Sequence, residues 1–313
     1  MKKITSVILS VAMVFLMATG AFAAFSDMPG GADGEVLQKA VDNGLIAGFP
    51  DGTVQPGTAI TRAQMAAIMS RAMKTTGTAD LSEFVDVKQG EWFYEDMAKA
   101  VYMEAFKGDN KKQLNPNNTI TRQEALIVLC RIFNVPDTDT AALGKYSDGA
   151  KVANWAAKEV RSIAANGYLG NITEIRPLDA MTRLEFAQVM DKIVATYIDE
   201  AGEYTTLPAG NVLVRAENVT FKGVNTDNVI FIGDGVENGV EFTDCTVEEL
   251  VVRGKKAVIN SGKFGRGLAV GNGTVIYLKK PTMELVKKYS NGKTGYFEGV
   301  SKNSSISIVM SEV

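Results

Sequence analysis

Two rhythms of apolar and polar positions divide the chain. In the first, apolar side chains recur at i, i+3, i+4, i+7 and i+8, which marks one buried face of a helix. Met65, Ile68, Met69, Ala72 and Met73 form one such row. Ala125, Val128, Leu129, Ile132 and Phe133 form a second, and Phe186, Val189, Met190, Ile193 and Val194 a third. A capping box opens each: Thr61 with Gln64, Thr121 with Glu124, Thr182 with Glu185. In this motif two side chains satisfy free N–H groups of the first turn. A shorter helical stretch lies upstream of each row, at "EVLQKAVDNG", "EDMAKAVYME" and "AKEVRSIAANG". After "DEAGEYTTLPAG" the period drops to 2, the rhythm of strands.

The β-rich pieces fall into two interleaved series. One is "NVLV" at 211, "NVIF" at 228, "ELVV" at 249 and "GLAV" at 267; the other is "NVTF" at 218, "GVEF" at 239, "AVIN" at 257 and "TVIY" at 274. Both advance by 17–21 residues, with Gly- and Asn-rich turns between pieces. A rung of two strands repeated in this way predicts a small β-solenoid of about four turns, with a β-sandwich as the alternative. "PTMELVKKYS", 281–290, predicts a helix, and "GYFEGV" and "SSISIVM" predict closing strands.

The helical part is also a repeat. "ITR" at 60–62 recurs at 120–122 and as "MTR" at 181–183, spacings of 60 and 61 residues. Pro56, Pro116 and Pro177 each lie five residues before the threonine. Phe25-Ser26-Asp27, Phe84-Val85-Asp86 and Tyr146-Ser147-Asp148 open the units. A single helix pair cannot bury its apolar face alone, so a compact three-unit bundle with approximate threefold symmetry is expected.

One feature breaks a local rule three times. Arg62, Arg122 and Arg183 occupy the first helical position, where the helix macrodipole favours an acid by roughly 0.3–1 kcal/mol. Free N–H groups at a helix start attract anions, and an adjacent guanidinium adds a bidentate donor. The expectation is three anion-binding corners, one per unit. Arg71, Arg131 and Lys192, ten positions after each threonine, are read as surface charges.

Composition narrows the options. There is no histidine, which removes Ser-His-Asp and Cys-His catalysis and the commonest metal ligand. Cys130 and Cys245 stand alone in different segments and are read as unpaired thiols. Lys2, Lys3, an apolar run and Ala21-Phe22-Ala23 read as a secretory signal peptide over 1–23, with a retained anchor as the alternative. Without that segment the formal charge falls from −3 to −5. No basic face suggests nucleic acid, and no later stretch suits a membrane span.

The aromatic-x-Asp openings, Trp92 and Trp155, "GLIAGFPDGTVQP" and "ITRAQ" together resemble the S-layer homology (SLH) domain, here in a tandem of three over about 25–197. The boundaries expected are 24–80, 81–142 and 143–199 for the repeats, 200–210 for a linker and 211–313 for the solenoid-like domain. The resemblance implies a pseudo-threefold helical bundle that anchors secreted proteins to the cell wall, at the cell surface or in an S-layer. It implies grooves between units that bind an anionic, often pyruvylated, secondary wall polysaccharide or peptidoglycan-linked glycan. It assigns Arg62, Arg122, Arg183, Asp27, Asp86 and Asp148 to those grooves, and it needs no cofactor or metal. Lateral self-association is a further option. The copies differ: Ala32 stands where the others have Trp92 and Trp155, "PDG" occurs only in the first, and the third loop is one residue shorter. The tryptophans are read as core rather than as sugar platforms.

The rival function is a wall polysaccharide-active enzyme with a catalytic solenoid. Asp234, Glu237, Glu241 and Asp244 supply carboxylates for glycoside cleavage, but their turn-rich context reads as solvated acids. A non-catalytic anchor is the preferred reading. It predicts that replacing all three arginines by alanine spares the fold, and that the two parts fold independently across the linker.

Overall fold

The computed structural model describes residues 25–279 and 296–309. The signal-peptide reading and the helix expected at 281–290 lie outside the described residues. Six helices form the first part: α1 (Gly31–Asp42), α2 (Arg62–Ala72), α3 (Tyr94–Tyr102), α4 (Arg122–Phe133), α5 (Ala157–Ala165) and α6 (Arg183–Ile193). Helices α2, α4 and α6 each begin with the complete capping box the sequence predicts. They carry the central core, with Met65, Met69, Leu129, Phe133, Phe186 and Met190 almost wholly buried. Each shorter helix packs on the capped helix of the preceding unit: α3 on α2, α5 on α4, and α1 on α6. The three units are therefore interlocked in a closed cycle.

That cycle is closed again in the backbone. Ile60 N–H donates to Met181 O at 3.0 Å, Met181 N–H to Ile120 O at 2.9 Å, and Ile120 N–H to Ile60 O at 3.0 Å. The strand-like residues entering the capped helices thus form a three-membered ring at one end of the bundle. Isolated antiparallel bridges pair Ala59 with Thr182, Thr61 with Thr119, and Thr121 with Ala180 beside it.

The second part is a β-solenoid. One sheet runs β1 (Thr196–Ile198), β3 (Val212–Val214), β5 (Asn225–Ile232), β7 (Cys245–Val252), β9 (Gly262–Ala269) and β11 (Tyr296–Gly299). The other runs β2 (Gly202–Tyr204), β4 (Val219–Lys222), β6 (Val240–Thr243), β8 (Lys256–Ile259), β10 (Val275–Lys279) and β12 (Ser305–Val309). All pairings are parallel. The two interleaved series of the sequence are the middle four strands of each sheet. One further strand flanks them at each end. Inward rows keep register, as in Tyr204, Phe221 and Phe242, and stacked aromatic rings line the interior, with Phe221 and Phe242 centroids 5.1 Å apart.

Two expectations are overturned. The stretch read as a linker, 200–210, holds β2, which pairs with β4 as part of the first rung. The two parts also share a core. Leu213, Phe231, Val251 and Leu268 face away from the solenoid interior in one register row and belong to the same buried cluster as the helices. Phe231 meets Phe133 of α4 edge-on, with centroids 4.9 Å apart. This sheet is buried on both faces. Its apolar runs "VLV", "VIFI" and "LVV" are accordingly continuous, whereas "VTFK" and "VEFT" in the other sheet alternate.

Polar contacts complete the joint at the C-terminal ends of the helices, where backbone carbonyls lack helical partners. Arg253 donates to Met103 O at 3.0 Å and Ile132 O at 3.4 Å, and its Nε lies 2.7 Å from Asp234. Arg215 donates to Asn43 O at 3.0 Å and pairs with Asp199. Gly235 N–H donates to Met73 O at 3.0 Å. Cationic side chains at helix C-termini also match the macrodipole.

Candidate functional site

The three arginines point across unit boundaries. Arg62 Nε donates to Leu114 O at 2.7 Å, Arg122 Nε to Ile175 O at 2.6 Å, and Arg183 Nε to Val54 O at 2.6 Å. Each accepting carbonyl belongs to the loop before the capped helix of the next unit in the cycle. The opening aspartates hold the same loops from within. Asp27 accepts from Val54 and Gln55 N–H at 2.7 and 2.8 Å. Asp86 accepts from Leu114 and Asn115 N–H at 2.9 and 2.6 Å, and Asp148 from Ile175 and Arg176 N–H, both at 2.7 Å. The second residue of each pair has positive φ, 48°, 53° and 52°, a left-handed turn that the paired N–H···carboxylate contacts hold in place. The six site residues predicted from sequence are thus brought together in three Asp–loop–Arg clasps.

The helix starts are already satisfied. Arg62 and Ala63 N–H donate to Asn118 and Pro116 O, Arg122 and Gln123 N–H to Asp179 and Pro177 O, and Arg183 and Leu184 N–H to Thr58 and Pro56 O. The threonine hydroxyls take the third N–H of each helix. The premise that these N–H groups wait for an anion is therefore corrected: neighbouring units occupy them. A cation at the first helical position is tolerated because its charge is spent on a carbonyl of the adjoining loop. Arg122 and Arg183 are 4% and 3% exposed.

The clasps differ in electrostatics. Arg62 Nη1 lies 3.1 Å from Glu124, and Arg122 Nη1 lies 3.1 Å from Glu185, which also pairs with Arg176. At the equivalent place beside Arg183 the residue is Gln64. Among the described residues Arg183 makes no ion pair; it donates instead to Ala47 O and lies over the Phe49 ring at 5.0 Å. Burial pulls its guanidinium down to about 10, opposed by Asp27 and reinforced by Arg71. Burial likewise lowers Arg62 and Arg122, where Glu124 and Glu185 oppose it.

Arg71 and Arg131 are not solvated surface charges. Arg71 donates to Gly44 O at 3.1 Å and Leu45 O at 2.9 Å, and Arg131 to Ala105 O at 3.4 Å. They hold the loop that follows the first helix of their own unit. The same loops require glycine: a Cβ on Gly48 would lie 2.0 Å from the Phe25 ring, and one on Gly108 2.4 Å from Phe84. The tryptophans are likewise corrected, because Trp92 and Trp155 are 58% and 62% exposed. Trp92 borders a narrow cleft between units, together with Leu45, Gln64, Ile68, Arg71 and Arg183.

In the solenoid, Asp234 is buried and bound to Arg253 rather than solvated. Glu241 accepts from Asn260, and Asp244 accepts from Ser261 Oγ at 2.6 Å. Glu237 is exposed and accepts from Thr76 at 3.1 Å. Cys130 and Cys245 are free and buried.

The sequence model of the S-layer homology domain matches residues 24–66 and 83–126, each running from the clasping aspartate's loop into the capped helix. The chain carries S-layer homology domains. The third unit repeats the capping box, aspartate and clasp of the two matched SLH units. The chain is 30% identical over 165 residues to the surface-layer 125 kDa protein of Lysinibacillus sphaericus, covering 51% of this chain and 14% of that protein. It is 32% identical over 78 residues to a cellulosome-anchoring protein of Acetivibrio thermocellus, covering 25% and 17%. It is 24% identical over 173 residues to the exoglucanase XynX of Acetivibrio thermocellus, covering 53% and 16%. The chain thus spans less than a fifth of the length of each. The SLH units place the protein among secreted proteins of the cell surface and S-layer.

Proposed function

We propose that this chain is a non-catalytic wall anchor whose SLH units bind an anionic, pyruvylated secondary wall polysaccharide, with the solenoid displayed outward for association or spacing. The observation that carries the reading is the cleft between units at Trp92. There an exposed indole lies beside two guanidiniums, an arrangement suited to a sugar ring bearing a carboxylate. In this reading Arg62, Arg122 and Arg183 supply the positive field of the grooves. Asp27, Asp86 and Asp148 hold the loops that form their walls. The cell-surface and anchoring relatives support the assignment. The match to an exoglucanase does not make this chain one, because it covers only 16% of that enzyme.

The test is co-sedimentation of the full chain with purified cell walls, before and after chemical removal of the anionic polysaccharide, with release of reducing sugar followed in the same tubes. Binding that disappears on stripping, without sugar release, is expected. Sugar release would transfer the function to the enzyme reading.

A further inference from the structure

We infer that Asn238 is a modification site, where the folded chain converts its own carboxamide to a carboxylate with water as the only co-reactant. The inference stands apart from the wall-anchoring reading. Asparagine followed by glycine suits this chemistry, because no side chain shields the following nitrogen and glycine turns freely. The Gly239 nitrogen loses its proton and attacks Asn238 Cγ. A C–N bond closes a cyclic imide, and the Cγ–Nδ2 bond breaks to release ammonia, which carries the proton away. Water then opens the imide at either carbonyl, leaving aspartate or its isomer with a lengthened backbone. No electrons are exchanged.

Among the described residues, Asn-Gly occurs at 43–44, 166–167, 238–239 and 272–273. Three of these pairs are held. Asn43 Nδ2 donates to Lys39 O at 2.8 Å, Asn43 O accepts from Arg215 at 3.0 Å, and Gly44 N–H donates to Val41 O at 2.8 Å. Asn166 Nδ2 donates to Pro136 O and Ser162 O, both at 2.8 Å, and Gly167 N–H donates to Ala164 O at 3.1 Å. Asn272 O accepts from Lys255 Nζ at 3.1 Å, and Gly273 N–H donates to Lys302 O at 3.1 Å. Asn238 is exposed, at the corner between β5 and β6. Among the described residues its carboxamide has no hydrogen-bond partner, and neither the Asn238 carbonyl nor the Gly239 N–H is bonded. The corner is otherwise fixed. Glu217 accepts from Glu237 and Asn238 N–H at 2.6 and 2.9 Å, and Gly235 N–H donates to Met73 O at 3.0 Å. Gly239 has φ 96°, and a Cβ there would lie 3.1 Å from Lys256 O, so glycine is required and its nitrogen stays unshielded. The peptide between 238 and 239 is the one piece free to turn, and it is the piece the reaction must turn. The charged neighbours are Glu217 and Glu237 on the corner itself and Lys256 on β8.

The experiment ages the full chain in native buffer at neutral and at mildly alkaline pH. Digested samples are followed by mass spectrometry for the mass gain of an amide-to-acid exchange. Conversion at 238 should run about tenfold or more faster than at 43, 166 and 272, because the held pairs must first open locally. It should quicken as pH rises, since the attacking nitrogen must lose its proton. In urea, where the fold protects nothing, the four rates should converge. On isoelectric focusing, Asn238→Asp should run with the first acidic species of the aged chain, and Asn238→Gln should not form that species. Conversion in the folded chain that is no faster at 238 than at the other three, or a preference for 238 that persists undiminished in urea, would overturn the assignment.

Discussion

Arg122 is buried against the loop of the next unit, with a backbone carbonyl and Glu185 as its partners. Replacing it by alanine leaves the buried Ile175 O without this donor. We expect Arg122→Ala to cost about 2–3 kcal/mol, read as a lower urea midpoint; an unchanged midpoint would show the clasp to be dispensable. This reverses the expectation from sequence that the arginines are removable without harm to the fold. Asp27 gives a second prediction at this scale. N–H donation from Val54 and Gln55, Val54 foremost, holds its carboxyl below the ordinary 3.8. A carboxyl depressed in the fold contributes stability that is complete above its unfolded value and is lost as the pH falls through its folded one. Asp27→Asn should therefore flatten the dependence of melting temperature on pH below about pH 4. The odd position of the arginines was legible in the sequence because a propensity rule was broken in register. Their partners were not, since Arg62 reaches a carbonyl 52 residues away and no local pattern reports a contact between units.

At the scale of elements, β5 and α4 meet through Phe231 and Phe133 in a core common to both parts. Phe231→Ala should cost about 3–5 kcal/mol, and the helical and β signals should fall in a single transition. Two separated transitions would restore independent domains. For the same reason a fragment ending near residue 200 exposes the apolar face that Leu213, Phe231, Val251 and Leu268 cover, and should not reach the native helical signal. The rungs themselves were legible, because side-chain alternation and turn residues recur at a fixed spacing. The joint was written there too, in the contrast between "VIFI" and "VTFK". Continuous apolar runs in one series only mean a sheet covered on both sides, and the covering layer is the helical bundle.

For the molecule as a whole, the ring of Ile60, Ile120 and Met181 lies at the N-terminal ends of α2, α4 and α6, and the solenoid meets the opposite ends of the helices. Helices of 11 or 12 residues separate the two by about 17 Å. That is beyond the Debye length of about 8–10 Å at ordinary ionic strength, so charges of the outer solenoid should have little influence on the grooves. Wall binding should fall as salt is raised from low to high without vanishing, because ring contacts with Trp92 persist. The same titration on a variant with Glu203 and Glu241 replaced by glutamine should give the same slope. A changed slope would place the solenoid at the wall surface.

The ring has a consequence for how such a chain can change over generations. An open array can gain or lose a segment at its ends, and the solenoid is of that kind: another rung of 17–21 residues would only lengthen both sheets. The helical part is not. Each of its units lends an arginine forward and receives one from behind, and the third closes on the first. Duplication or deletion of a single unit leaves one arginine without a loop and one loop without an arginine. Three is therefore a fixed number there, and diversity is confined to what the closed trio carries.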